Sequence, residues 1–271
     1  MLSAAILTRN LLDATEMRLG ELQRFGVPKD EIFIVDAGSV KRELHPQTTI
    51  SVNSPEVVAN GLRFCRGMNL ALAHWLENSE TDWILLLPVD YELLSLDWRR
   101  LKDVLSSHEE IALVAPIQEA SEQADLMADS VLRIAWQFDD GPLLVSRKLW
   151  ASWDPLSNKA HPLFDEANFR SILYSVQASF AVLFLGFVPA LTSAIITREN
   201  ESFLSSQHAE IRTEERELHL DLARAEFSER LYEVYGTYDS WFLLRAVDAL
   251  FQKFLSENPH FDSLTIRELL P

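Results

Sequence analysis

The sequence predicts an α/β protein: a mostly parallel central sheet flanked by helices, in the manner of a Rossmann-like domain. Three observations carry that expectation. Short, wholly apolar runs recur at residues 4–7 (AAIL), 32–35 (IFIV), 84–87 (ILLL) and 111–115 (IALVA), as expected of strands buried on both faces. Stretches with apolar residues at helical spacing separate them. Two of the runs are also followed closely by an aspartate, Asp36 and Asp90.

The first run ends at Thr8-Arg9-Asn10, and a helix is expected next. Asn10 reads as its cap and Asp13 falls in its first turn, with Leu12, Leu19, Leu22 and Phe25 on one face. Gly26 and Pro28 stop it. The strand over 32–35 then delivers Asp36 and a turn containing Gly38. A longer helix is expected over about 55–76, with Cys65, Met68, Leu72 and Trp75 at helical intervals. It leads directly into the strand over 84–87, after which Asp90 and Glu92 stand one residue apart. A helix carrying Trp98, Leu101 and Leu105 precedes the strand over 111–115. In sheets of this kind ligands bind beyond the carboxyl ends of the strands. Asp36, Asp90 and Glu92 are therefore expected on one rim.

Residues 171–197 hold no formally charged side chain, a length that could span a bilayer. Gly186 and Pro189 interrupt it, so it divides into a buried helix with Gly186 as its C-cap and an apolar strand through ALTSAII. From about residue 202 the chain becomes densely charged with alternating sign, and a second amphipathic stretch covers 240–255. This predicts a main domain over 1–200 and a C-terminal helical extension over 201–271, packed on it or on a partner.

Composition narrows the function. With 271 residues and 48% hydrophobic content the chain can bury a full core. A net charge of −17 repels a phosphate backbone, which argues against nucleic acid as a partner. Cys65 is the only cysteine, so neither an intrachain disulfide nor a cysteine zinc site can form. That usage fits the cytoplasm, and the opening residues lack the basic segment of a secretory signal.

Several segments, taken in order, resemble nucleotide-sugar glycosyltransferases of the GT-A fold, specifically the large inverting family 2. AAILTRN is similar to that family's first strand with its Thr-Tyr-Asn turn, and EIFIVDAGS to its second strand with Val-Asp-Asn-Gly-Ser. GLRFCRGMNLAL resembles a helix start bearing the family's asparagine, here Asn69. WILLLPVDYEL resembles the strand ending Asn-Pro-Asp-x-Glu-Leu, while GPLLVSRKLW, LFDEANF and SERLYEVYG resemble later segments. The likeness is good over about 1–115, patchy to about 200 and poor beyond.

The resemblance implies a sugar transfer from a UDP, GDP or dTDP sugar to a glycan or lipid-linked acceptor. Asp90 and Glu92 would hold Mn2+ or Mg2+, hard cations that take carboxylate oxygens and keep phosphate and water elsewhere. Asp36 would bind the base or ribose, with Thr8, Arg9, Asn10 and Val89 lining the pocket and Arg66 and Asn69 near the diphosphate or ribose. It leaves room for peripheral membrane contact and for self-association through the C-terminal helices.

One departure concerns the chemistry. In the family, Phe-Asp-Glu is followed about ten residues later by a Glu-Asp pair whose aspartate takes the acceptor's proton. Here Phe164-Asp165-Glu166 is followed by ANFRSILYSVQASF, which has no carboxylate. Asp139, Asp140, Asp165 and Glu166 are the candidate substitutes, with Asp140 and Asp165 best placed in order. Arg198 stands near the place of a metal-binding histidine and could neutralise diphosphate charge, and Trp136 could stack on an acceptor sugar. Two other readings stand beside this one. A scaffold protein could retain the fold without the chemistry. A nucleotidyltransferase fits less well, because the loop after the first strand has no glycine before Gly20.

Overall fold

The computed structural model describes residues 1–52, 63–119, 121–127, 130–152, 163–166, 173–200, 228–234, 236 and 238–266. Its centre is a nine-stranded sheet in the order β3-β2-β1-β4-β8-β6-β9-β5, with β7 paired to β9. The strands are β1 (Ser3–Thr8), β2 (Ile32–Asp36), β3 (Ile50–Ser51), β4 (Trp83–Pro88), β5 (Tyr91–Leu96), β6 (Ile111–Gln118), β7 (Leu132–Ile134), β8 (Leu143–Ser146) and β9 (Val188–Glu199). The four apolar runs of the sequence are β1, β2, β4 and β6, each extended by a residue or more. β1 lies parallel to both β2 and β4, and β2 to β3. The other half is mixed: β8 runs antiparallel between β4 and β6, while β9 is parallel to β6 and antiparallel to β5 and β7.

Helices cover both faces: α1 (Leu12–Arg24), α2 (Arg63–Asn78), α3 (Trp98–Leu105), α4 (Glu122–Leu126), α5 (Arg147–Ser152), α6 (Tyr174–Phe184) and α7 (Ser240–Glu257). Alternation along β1 sorts the core. Ala4 and Ile6 face a cluster with Leu19 and Leu22 of α1, Leu101 of α3 and Val247 and Phe251 of α7. Ala5 and Leu7 face another with Cys65, Met68, Leu72 and Trp75 of α2. Successive side chains thus serve opposite faces, which is why the strands read as continuous apolar runs.

Residues 171–197 divide as the glycine and proline require. α6 has 11 residues, Leu185 is its C-cap, and Gly186 follows at φ 83°. The Gly186 and Phe187 N–H groups donate back to Leu183 and Val182 carbonyls. β9 begins at Val188, and no described helix is long and apolar enough to cross a membrane. The later amphipathic stretch is α7, packed on α6 with Leu243, Val247 and Phe251 buried. The segment 201–227, part of the expected C-terminal extension, lies outside the described residues, as do 55–62 of the expected long helix.

Two local expectations change. Asn10 does not cap α1: it adopts φ 54°, its Oδ1 accepts from the Val40 N–H (2.8 Å), and the helix begins after Leu11 without a side-chain cap. Glu92 does not lie beyond a strand's carboxyl end: YELLSL forms β5, reached across the sheet from β4, with Tyr91, Leu93 and Leu96 buried. Glu92 therefore sits within a strand, separate from the turn that holds Asp90.

Candidate active site

The carboxyl ends of β2, β1 and β4 lie side by side. Thr8 pairs with Asp36 in register, the Ala37 N–H donates to the Thr8 carbonyl (2.8 Å), and the Val89 N–H donates to the Leu7 carbonyl (3.0 Å). Neighbouring strands are about 4.8 Å apart, which sets the ends of β2 and β4 roughly 10 Å from one another along this edge. Asp36 and Asp90 both occupy it. Asp36 is fully buried, and its Oδ1 accepts from the N–H groups of Gly38 (3.0 Å) and Ser39 (2.9 Å), which shapes the turn. Gly38 takes φ 87°, a conformation glycine adopts without Cβ strain. Asp36 Oδ2 is buried with no hydrogen-bond partner among the described residues. The Asn10 N–H donates to Ser39 Oγ (2.8 Å), tying the two strand-end turns together, and Thr8 Oγ1 is bonded to Thr15 Oγ1 (2.7 Å).

Asp90 lies in the turn after β4, half-buried, where burial raises its pKa against opposing pulls from a backbone hydrogen bond and Arg18. Arg18, on α1, was not singled out by the sequence. Its guanidinium is buried, Nη2 donates to Glu21 (2.8 Å), and Nε and Nη1 have no partner among the described residues. Its charge reaches both Asp90 and Glu92.

Glu92, the expected second metal ligand, is already engaged. Arg198 donates to its Oε2 through both Nε (3.0 Å) and Nη2, and Asn200 Nδ2 donates to Oε1 (2.8 Å). The hydrogen bonds from Arg198 hold the Glu92 pKa below its ordinary value. Arg198 is thus Glu92's cross-strand partner, and it also reaches Glu119 (3.3 Å). Of the two carboxylates after β4, Asp90 is the one with no side-chain partner among the described residues, which fits a hard cation that draws its other ligands from phosphate and water. No group of three His, Cys, Asp or Glu able to hold a metal occurs among the described residues.

Beside the rim, Asp140 stands exposed at the mouth of a cavity of about 550 Å³. Its Oδ1 accepts from both the N–H (3.1 Å) and the hydroxyl (2.6 Å) of Ser175, in the first turn of α6. Helix N-termini favour anions. The protein packed round this carboxylate nonetheless raises its pKa, against the lowering effect of the Ser175 hydrogen bonds. Two tyrosines fix the loop: Tyr91 O–H donates to the Asp140 carbonyl (2.6 Å) and Tyr174 O–H to the Gly141 carbonyl (2.5 Å). A Cβ on Gly141 would lie 3.3 Å from the Tyr91 ring, so the loop depends on glycine for this approach. Tyr91 adjoins Asp90 in sequence, so one side chain links the two acidic turns.

The remaining candidates have other partners. Asp165 is buried and paired with Arg230 Nε (2.6 Å) and Nη2 (3.2 Å). Glu166 is exposed and accepts from Asn69 Nδ2 (3.1 Å), which also donates to the Phe164 carbonyl (2.9 Å). Asn69 thus fastens the Phe164 segment to α2, on which Arg66 is half-buried. Arg9 is half-buried just past β1. Trp136 is buried and cannot present its ring to an acceptor sugar.

No family model matches the sequence, and no curated protein does. Solved structures do resemble it. GalNAc-T7 with UDP, GalNAc and Mn2+ superposes with a TM-score of 0.53 at 9% identity, over 73% of this chain and 43% of that one. The fold is GT-A. This GT-A chain therefore spans less than half of the GalNAc-T7 structure. A mannosyltransferase from Pyrobaculum calidifontis with GDP-Man and Mn2+ matches at 11% identity and TM-score 0.49, over 94% of this chain and 75% of that one. S. aureus TarS matches at 13% identity and TM-score 0.49, over 94% and 72%.

Proposed function

We propose that this GT-A protein is an inverting glycosyltransferase using a nucleotide-sugar donor. One observation carries the reading: Asp140 brings a carboxylate to Ser175, at the start of α6. Tyr174 and Ser175 are the residues that stand about ten positions after Phe164-Asp165. That is where the resemblance expects the catalytic base, so a neighbouring loop supplies the carboxylate that the helix lacks.

In the proposed transfer the acceptor hydroxyl oxygen attacks the anomeric carbon from the side opposite the diphosphate. The new glycosidic bond forms as the bond to the diphosphate oxygen breaks, and Asp140 Oδ2 receives the hydroxyl proton. Ser175 holds Oδ1 and thereby aims Oδ2. Asp36 Oδ2, buried and without a partner among the described residues, suits an N–H or hydroxyl of the nucleotide. Asp90 would hold Mn2+ or Mg2+, which when bound with the donor would neutralise charge on the leaving diphosphate. The charge of Arg18 favours the ionised form of Asp90, against the larger opposing effect of burial.

Titration calorimetry with UDP, GDP and dTDP sugars in the presence of Mn2+ tests the donor half. One class should bind and be hydrolysed or transferred slowly, and Asp140→Asn should stop turnover without stopping binding. Absence of binding to all three would sink the proposal.

A further inference from the structure

The cavity beside Asp140 also says which acceptor it fits, on the reading that this is the transfer site. Its described polar lining consists of Ser121, Gln123, Gln137, Asp139, Asp140 and Ser175: hydroxyls, amides and two carboxylates, with no cation. Gln137 Oε1 is buried and has no hydrogen-bond partner among the described residues, an acceptor short of a donor beside the cavity. Burial raises the pKa of Asp139 as well. Among the described residues a phosphate here would meet two carboxylates and no balancing charge, within a chain of net charge −17.

The apolar wall is continuous with an aromatic surface. Leu244 of α7 lines the cavity, and Trp241, three residues earlier on the same helix, is 60% exposed. At about 100° per residue, Trp241 flanks Leu244 on the side away from the buried positions Leu243 and Val247. Tyr238, just before the helix, is exposed and stacks on Tyr232 with ring centroids 4.6 Å apart. Arg245, the neighbouring cation on α7, is paired with Asp239 (3.6 Å). Apolar sugar faces stack on such rings while sugar hydroxyls seek amide and carboxylate oxygens.

We propose that this cavity and the ridge at Trp241 form the acceptor subsite for an uncharged or amino-bearing glycan, and that it does not take a diphosphate-bearing lipid. Gln137 receives a hydroxyl or N–H from the sugar, and Trp241 stacks on the unit beyond it. The choice between a glycan and a lipid-linked acceptor thus falls to the cavity's charge.

Saturation-transfer NMR on the full chain tests this with chitotetraose, cellotetraose, mannotetraose and maltotetraose as glycan probes and farnesyl diphosphate as the lipid probe. Binding of UDP and GDP with Mn2+ is measured on the same samples. At least one tetrasaccharide should bind, Trp241→Ala and Gln137→Leu should each weaken it at least about fivefold, and farnesyl diphosphate should not displace it. No tetrasaccharide binding in a protein that still binds UDP or GDP overturns the acceptor assignment alone. Displacement by farnesyl diphosphate, or tetrasaccharide binding indifferent to both substitutions, overturns it too. Loss of nucleotide and tetrasaccharide binding together overturns the donor reading along with it.

Discussion

Asp140 and Ser175 lie 35 residues apart in sequence, yet one carboxylate oxygen of Asp140 accepts both the backbone N–H and the hydroxyl of Ser175. The pair places an anion at the amino end of α6 while leaving the second oxygen free of any bond to Ser175. That is an arrangement a general base can use: Ser175 fixes the carboxylate's direction, and a backbone hydrogen bond from Leu173 adds to the hold.

Asp140→Asn should lower kcat by about 10²- to 10⁴-fold, the usual contribution of a positioned acid or base. The amide oxygen can still accept from Ser175, so thermal stability and donor affinity should change little. Turnover, a melting curve and a donor titration on one preparation check all three.

The same pair sets a pH dependence. A base works ionised, and the pKa of Asp140 lies above that of an ordinary aspartate because the surrounding protein desolvates it. Activity should therefore be lost on acidification at a pH higher than an ordinary aspartate would give. Ser175→Ala removes a hydrogen bond to the charged form, so the acid limb of the kcat/KM profile should move to still higher pH.

The two carboxylates after β4 should separate. Asp90→Asn should reduce kcat/KM at least about 10²-fold and weaken Mn2+-dependent donor binding. Glu92→Gln, at a carboxylate already held by Arg198 and Asn200, should change either quantity by less than about threefold. Equal losses in both would show that Glu92 leaves its partners to join the donor site.

Asp36→Asn keeps an oxygen for the Gly38 and Ser39 N–H groups but can turn the buried Oδ2, which has no partner among the described residues, into a donor. Nucleotide affinity should fall about tenfold to 100-fold, equivalent to about 1–3 kcal/mol. Calorimetry with the bare nucleoside diphosphate measures it without involving the acceptor.

Asp165 serves the fold on this view. Arg230→Ala removes a partner from a buried carboxylate and should cost about 2–4 kcal/mol of stability. A denaturant titration measures the loss, and kcat of the fraction that folds should stay close to wild type.

Much of this was legible in the sequence. Residues 4–7, 32–35, 84–87 and 111–115 read as strands because burial on both faces leaves an unbroken apolar run, a local signal. The turn at Asp36 was legible for a similar reason, since a strand followed by Asp-Ala-Gly-Ser states its own stop. β5 was hidden because its alternation of buried and half-exposed residues is short and follows Asp90 without a loop. Asn10 misled because an asparagine ahead of a helix suits a cap and a left-handed turn alike, and Val40, 30 residues away, decides between them.

The sequence by itself determined β1, β2, β4, β6 and β9, the helices α1, α2, α3, α6 and α7, and the strand-end positions of Asp36 and Asp90, because each follows from the pattern of a dozen neighbouring residues. Tertiary structure alone decided that Arg198 takes Glu92, that Arg230 takes Asp165 and that Asp140 reaches Ser175. Those pairings join residues 35 to 106 positions apart. They depend on which strand ends and helix starts the sheet brings within hydrogen-bond reach, and no local pattern encodes that distance.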